Sequence, residues 1–278
     1  VSGSITTHFT EEFNQELFVA FQNKGGYMRG KTRRKTGVIG YRTHFPKIAS
    51  APAAQQKTRR GKVPVMDISR SRVYCDLADY YGADYVDDLD QLKTNVQEKQ
   101  AIQNAIVMSL ARTEDQLIAA QLIAGSNTND VTGSDDSWSS DATPRSVMEA
   151  FGRAEAMQDG QMYAAVTWRA WNDSLAFLSF IHSDYGGDPA QTAQGGTRPK
   201  IWFGFEYKPW SALPTHTASA KPYNIWWNMM CIGEAVGKEI TPSTTWQDDY
   251  DAYFVKGKMS LGAKLVDDTG VIKRRYTA

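Results

Sequence analysis

Two cysteines are all that the chain contains, Cys75 and Cys231, and they lie far apart. That excludes a disulfide scaffold and suits a reducing compartment, with a single long-range bridge left open. Histidine is scarce as well. His8, His44, His182 and His216 stand singly, without the i,i+4 or paired spacing of metal ligands. No run approaches the roughly 18 apolar residues of a membrane span. The opening VSGSITTHF lacks the basic and apolar regions of a signal peptide. The missing Met before Val1 fits either ordinary removal or cleavage of a longer precursor. Net charge is also lacking, since 31 Lys+Arg balance 31 Asp+Glu, which weakens any bulk attraction to nucleic acid.

Catalytic signatures are missing too. There is no G-x-S-x-G elbow, no Walker A loop and no strand-led G-x-G-x-x-G. The glycine pairs Gly186–Gly187 and Gly195–Gly196 fall in a polar loop without a phosphate-binding frame. No internal repeat or low-complexity tract is present. An enzyme reading would rest on carboxylates alone. Asp84, Asp87, Asp88 and Asp90, with Asp130, Asp135 and Asp136, do not fit a calcium loop. Paired acids beside Trp168, Trp171, Trp202 and Trp210 are conceivable for glycoside chemistry, but aromatics at this density more often build a core or an interface.

Aromatics are abundant: eight Trp, thirteen Tyr and eleven Phe in 278 residues, enough for one large domain or two modest ones. TEEFNQELFVAFQNKGG reads as an amphipathic helix with Phe13, Leu17, Phe18 and Phe21 on one face, ended by Gly25–Gly26. TNVQEKQAIQNAIVMSLARTEDQLIAAQLIAG predicts the longest helix, over Thr94–Ala124. Its stripe is Ile102, Ile106, Leu110 and Leu117, with a capping box at Thr94/Gln97 or Asn95/Glu98 and a stop at Gly125. RSVMEAFGRAEAMQDG reads as a second helix closed by Gly160. SRVYCDLADYYGADYVDD alternates as a strand leading into a turn. NIWWNMMCIGEAVGKEI is apolar and expected to be buried. The last 28 residues read as two strands with turns at Gly257 or Gly262 and at Asp268–Gly270.

The strongest signal is charge segregation. From Lys24 to Lys62 there are twelve Lys/Arg and no acid, and CDLADYYGADYVDDLD follows soon after. The ends of this stretch can extend as strands around a loop tip, KIASAPAAQQKT, and a two-stranded ribbon is marginal alone. It must therefore lie on something. A nucleic acid is one choice, although only Tyr41 and Phe45 interleave with the charges. A solvated basic loop is the plainest reading, and loops of this length without structure are uncommon. The third is self-association, with Arg33, Arg34, Lys35, Arg59, Arg60 and Lys62 meeting Asp84, Asp87, Asp88 and Asp90 of another copy. Such a head-to-tail contact closes into rings or shells.

In this order the segments resemble the major capsid proteins of tailed bacteriophages, with the HK97-like fold, over nearly the whole chain. SITTHFTEEFNQELFVAFQNKGGYMRG resembles the family's N-terminal arm. RRKTGVIG followed by KTRRGKVPVMDISRSRVYCDLADYYGADYVDDLD resembles its extended E-loop hairpin and the strand leaving it. Thr94–Ala124 would be the spine helix, RSVMEAFGRAEAMQDGQMYAAVTWRAWNDSL the start of the A-domain, and GEAVGKEITPSTTWQDDYDAYFVKGKMSLGAKLVDDTGVIKRRY the C-terminal segment. The implied fold is α+β, divided into an arm (1–30), E-loop (31–75), P-domain (76–160), A-domain (161–247) and C-terminal strands returning to the P-domain (248–278).

The implied role is structural, not enzymatic, with no cofactor and no metal. The chain would self-assemble through hexamers and pentamers into an icosahedral head enclosing double-stranded DNA. It would form in the host cytoplasm, with Phe13, Leu17 and Phe21 docking the arm on a neighbour. Portal, scaffolding and decoration proteins are further partners that the resemblance leaves room for. An encapsulin-like compartment shell and a non-assembling nucleic-acid-binding protein are the alternatives.

Overall fold

The computed structural model describes residues 24–87, 98–125, 135–138, 140–181 and 199–277. The expected arm helix, with Phe13, Leu17 and Phe21, and the proposed capping box lie outside them, as do Asp88, Asp90 and nearly all of the glycine-rich segment before Pro199. A strap from Lys24 buries Tyr27 and Met28 and leads into β1 (Arg33–Thr36). β2 (Arg42–Ile48) and β3 (Arg70–Asp76) form a separate antiparallel hairpin. β4 (Ala78–Asp87) precedes α1 (Glu98–Ala124). Next come β5 (Asp135–Asp136), α2 (Ala142–Arg153), β6 (Met162–Val166), α3 (Trp168–Ser174) and α4 (Leu178–Ile181). The chain closes with β7 (Lys200–Trp202), β8 (Phe205–Pro209), β9 (Tyr223–Asn228), β10 (Ile232–Gln247), β11 (Ala252–Leu265) and β12 (Val271–Tyr276).

Two larger sheets result, in the orders β1-β10-β11-β4 and β5-β12-β9-β6-β8-β7. β9 explains how the second is built. Successive strand residues face opposite sides, and both sides of YNIWWN are covered. Trp226 packs with Phe151 of α2 and Trp171 of α3, whereas Ile225 and Trp227 pack with Ile118 and Leu122 of α1. A strand buried on both faces reads as a continuous apolar run, and the expected burial here is what is seen. At about 1.5 Å per residue, α1 is long enough to serve both sheets. Its first half, through Ile106 and Leu110, lies on Val86, Val255 and Met259 of the first sheet, and its second half lies under β9.

Several local expectations change. α2 stops at Arg153, because Glu155 turns left-handed (φ 54°), and Gly160 sits in the later turn before β6. SRVYCDLADYYGADYVDD forms two successive strands, β3 and β4, instead of one strand and a turn. β11 runs straight through Gly257 and Gly262. These glycines mark close approach: a Cβ on Gly257 would lie 2.8 Å from Ile106 Cγ2, and one on Gly262 would collide with the Asp76 carbonyl. The turn at Asp268–Gly270 is present as a 3-10 helix, with Asp267 capping Thr269. The sheets also cut across the segments 76–160, 161–247 and 248–278: β10 and β11 share the first sheet, while α2 and β12 pack into the second. Trp171, Trp202 and Trp210 are core side chains, and only Trp168 of the four tryptophans in the glycosidase reading is exposed.

Candidate functional site

The hairpin β2/β3 is held to the body at one end. In RTHFPKI the inward positions are Thr43 and Phe45, so the strand alternates as a half-buried strand should. Phe45 is 2% exposed and clusters with Cys75, Ala235 and Val266. It lies so close to β10 that a Cβ on Gly233 would be 2.5 Å from its ring. Burial raises the Cys75 thiol pKa. Lys47 pairs with Asp267 at 2.9 Å, and Arg42 pairs with Asp76 across the hairpin, holding that carboxylate below its usual range.

Beyond Ile48 the hairpin is largely bare among the described residues. Every residue from Ala51 to Arg60 is exposed, and the apolar Val63 and Val65 stand 69% and 89% exposed. A turn closed by Gly61 N–H donating to Thr58 O, with Arg60 at φ 64°, presents Arg59 and Arg60 side by side. The paired strands are seven residues each, roughly 23 Å. Val63–Met66, which follows the basic stretch, is part of the same loop. Cationic heads over bare aliphatic groups are the surface chemistry of this loop.

The opposite chemistry occurs at the far end of the first sheet. β10 and β11 are joined by Asp248, Asp249, Tyr250 and Asp251, which add three carboxylates and no cation. Tyr250 packs at a tilt against Tyr85 of β4 with centroids 5.1 Å apart, and Tyr85 likewise against Phe254 at 4.8 Å. Trp246 meets Tyr253 edge-on at 4.8 Å. Tyr250, Tyr85 and Trp246 all remain substantially exposed. Asp84 and Asp87 lie on β4 opposite Val255 and Ala252 of the same ribbon.

A third feature lies beneath the strap. Asp115 of α1 accepts backbone N–H bonds from Tyr27 (2.9 Å) and Met28 (2.8 Å), and burial nevertheless raises its pKa. Beside it, Glu114 binds Arg29 at 2.7 Å and lies 3.6 Å from Arg34. Glu234 of β10 is fully buried, accepts from Thr32 Oγ1 at 2.6 Å, and lies 3.5 Å from the Arg34 guanidinium. Arg34 also holds Glu239 at 2.9 Å.

The whole-chain comparisons agree. A family model described as phage capsid protein matches residues 5–278. The chain belongs to that family. The capsid of the cyanophage P-SCSP1u superposes with a TM-score of 0.71 at 16% identity, covering 100% of this chain and 95% of that one. A Mycobacterium phage Che8 structure gives 0.76 at 16% identity, with 99% and 98% covered. The capsid of Ralstonia phage GP4 gives 0.68 at 11% identity, with 100% and 98% covered. No curated protein matches by sequence. The fold is HK97-like, and family and fold are those of a structural capsid protein. No helix among the described residues is long and apolar enough to cross a membrane.

In this capsid protein the six basic residues do not form one surface. Arg33, Arg34 and Lys35 belong to β1, which pairs in parallel with Gly233–Val236 of β10. Arg34 is committed to its own chain through Glu114, Glu234 and Glu239. Lys35 binds Thr43 at 2.8 Å, and Arg33 lies over the Phe45 ring at 5.6 Å. Arg59, Arg60 and Lys62 form no ion pair among the described residues, and they lie on the projecting loop. The acids at Asp248, Asp249 and Asp251 escaped the sequence reading, although QDDYD between two aromatic strands was their visible signal.

Proposed function

We propose that the chain assembles, through hexamers and pentamers, into an icosahedral virion shell that encloses phage double-stranded DNA and forms in the host cytoplasm. The loop 49–69 of one subunit would dock on the tip formed by Trp246, Tyr250 and Tyr85 of its neighbour. Arg59, Arg60 and Lys62 would face Asp248, Asp249 and Asp251. Phe13, Leu17 and Phe21 would anchor the arm on an adjoining subunit, and loops of the 161–247 region would gather at the five- and six-fold axes. The observation that carries the reading is the hairpin itself: rooted by Phe45, bare beyond Ile48, and rich in aliphatic and cationic groups that its own chain leaves uncovered. Exposed ion pairs contribute about 0–1 kcal/mol each, so apolar contact supplies the adhesion and charge sets the register. Many such contacts repeated over a closed shell make it slow to dismantle.

The test is a charge reversal, Arg59→Glu, Arg60→Glu and Lys62→Glu together. Shells should fail to form while circular dichroism and thermal melting of the soluble chain stay unchanged. Shells of normal size and yield from this variant would refute docking through the loop.

A further inference from the structure

We propose that the buried Glu234 carries a proton, and that this proton locks the strap 27–36 onto the long helix and thereby positions the projecting hairpin. The cluster is built from three directions. The strap supplies Arg29, Thr32 and Arg34; α1 supplies Glu114 and Asp115; and β10 supplies Glu234 and Glu239, while Lys264 of β11 pairs with Gly233 on the hairpin face. Asp115 is accounted for by two backbone N–H donors. Arg29 is held by Glu114 and Arg34 by Glu239, each through two hydrogen bonds. Glu234, 0% exposed, is left with Thr32 as its donor and an Oε1 that has no hydrogen-bond partner among the described residues. An unpaired charge so deeply buried is costly, and taking up a proton removes it.

Burial, opposed by Thr32 and Arg34 and reinforced by the nearby charge of Glu114, raises the Glu234 pKa to about 7. The hairpin connection comes through β10. Glu234 faces the helix and strap, while its neighbours Gly233 and Ala235 carry Phe45 and Cys75 of the hairpin root on the other face. Cys75 itself feels the fields of Glu234 and Lys264. Both the strap in front of the hairpin and the strand behind it therefore respond to the same proton.

The sign follows from linkage. A carboxyl whose pKa is raised in the locked form makes locking strongest at low pH, and the advantage is lost as pH rises from the free value of about 4.5 through about 7. Amide hydrogen exchange of residues 29–36 in the full, unassembled chain, corrected for intrinsic rates, should show opening that increases about tenfold between pH 5.5 and 7 and is level above. Glu234→Gln keeps an acceptor for Thr32 and should abolish this slope. A flat wild-type profile, or a slope retained in Glu234→Gln, would overturn the proposal. If Glu234→Gln does not fold, infrared spectroscopy of the wild-type chain decides. A carboxylic-acid C=O band should disappear with a midpoint near pH 7, and its absence at pH 5.5 would refute the protonated Glu234. The link to assembly rests on the proposed shell. If exchange shows the slope but shell formation by the wild type is indifferent to pH from 5.5 to 7, the lock stands and its control of the hairpin falls.

Discussion

Phe45→Ala should release the hairpin without unfolding the body. The ring is 2% exposed and lies in a small cluster with Cys75, Ala235 and Val266, separate from the clusters around α1 and β9. Truncating a buried phenylalanine costs about 3–5 kcal/mol in transfer and cavity terms. Apart from this cluster, what ties β2/β3 to the body includes the half-exposed Lys47–Asp267 pair, worth about 0–1 kcal/mol. The loss should therefore appear as local opening. Hydrogen exchange of amides 43–48 and 70–76 should quicken by roughly 100- to 5,000-fold, at 1.36 kcal/mol per factor of ten. Exchange in α1 and β9 should change by less than a factor of about three, since their contacts are untouched. Phe45→Leu, which refills most of the space, should give a much smaller effect. Equal acceleration in β9 and in the hairpin would show that the hairpin is not an independently rooted unit, and the reasoning about its exposure would fail.

Tyr207→Phe should lower stability by about 1–3 kcal/mol, because the buried Trp226 Nε1–H donates to Tyr207 Oη at 2.9 Å and would lose its acceptor. Thermal or denaturant unfolding reads this out, and a neutral result would mean that the indole finds another partner. Gly257→Ala should cost about 1–3 kcal/mol by pushing the Ile106 and Leu110 side chains of α1 off the first sheet, since the new methyl would lie 2.8–2.9 Å from them. Unchanged melting of that variant would refute the close approach of helix and sheet.

What the sequence made legible followed from period and composition. The stripe Ile102, Ile106 and Leu110 announced α1, and the apolar run NIWW announced burial, though not that it is a strand covered on both faces. Other features depend on partners far along the chain. RRKT carries no apolar signal for a strand, and β1 exists because β10, about two hundred residues later, offers Gly233–Val236 as a parallel edge. A buried Glu234 is invisible locally, because burial of a carboxylate is decided by Thr32, Arg34 and Glu114 converging on it. Reading all the basic residues as one ribbon failed for the same reason: Arg34 meets its counter-charges within the subunit. Gly257 and Gly262 resembled turn residues because, in sequence, a glycine needed for close packing looks the same as one needed for a turn. QDDYD drew no reading of its own in the sequence, and only the pairing of β4 with β11 brings Tyr85 beside Tyr250 to make an acidic, aromatic tip.

The central claim is that the loop beyond Ile48 is completed by another copy of the chain. Electron cryo-microscopy of particles grown from the purified full-length protein tests it most directly. The expected result is a closed shell in which Arg59, Arg60 and Val65 of each subunit rest against Trp246 and Tyr250 of a neighbour. A monomer at every concentration, with that loop folded onto its own subunit, would contradict it.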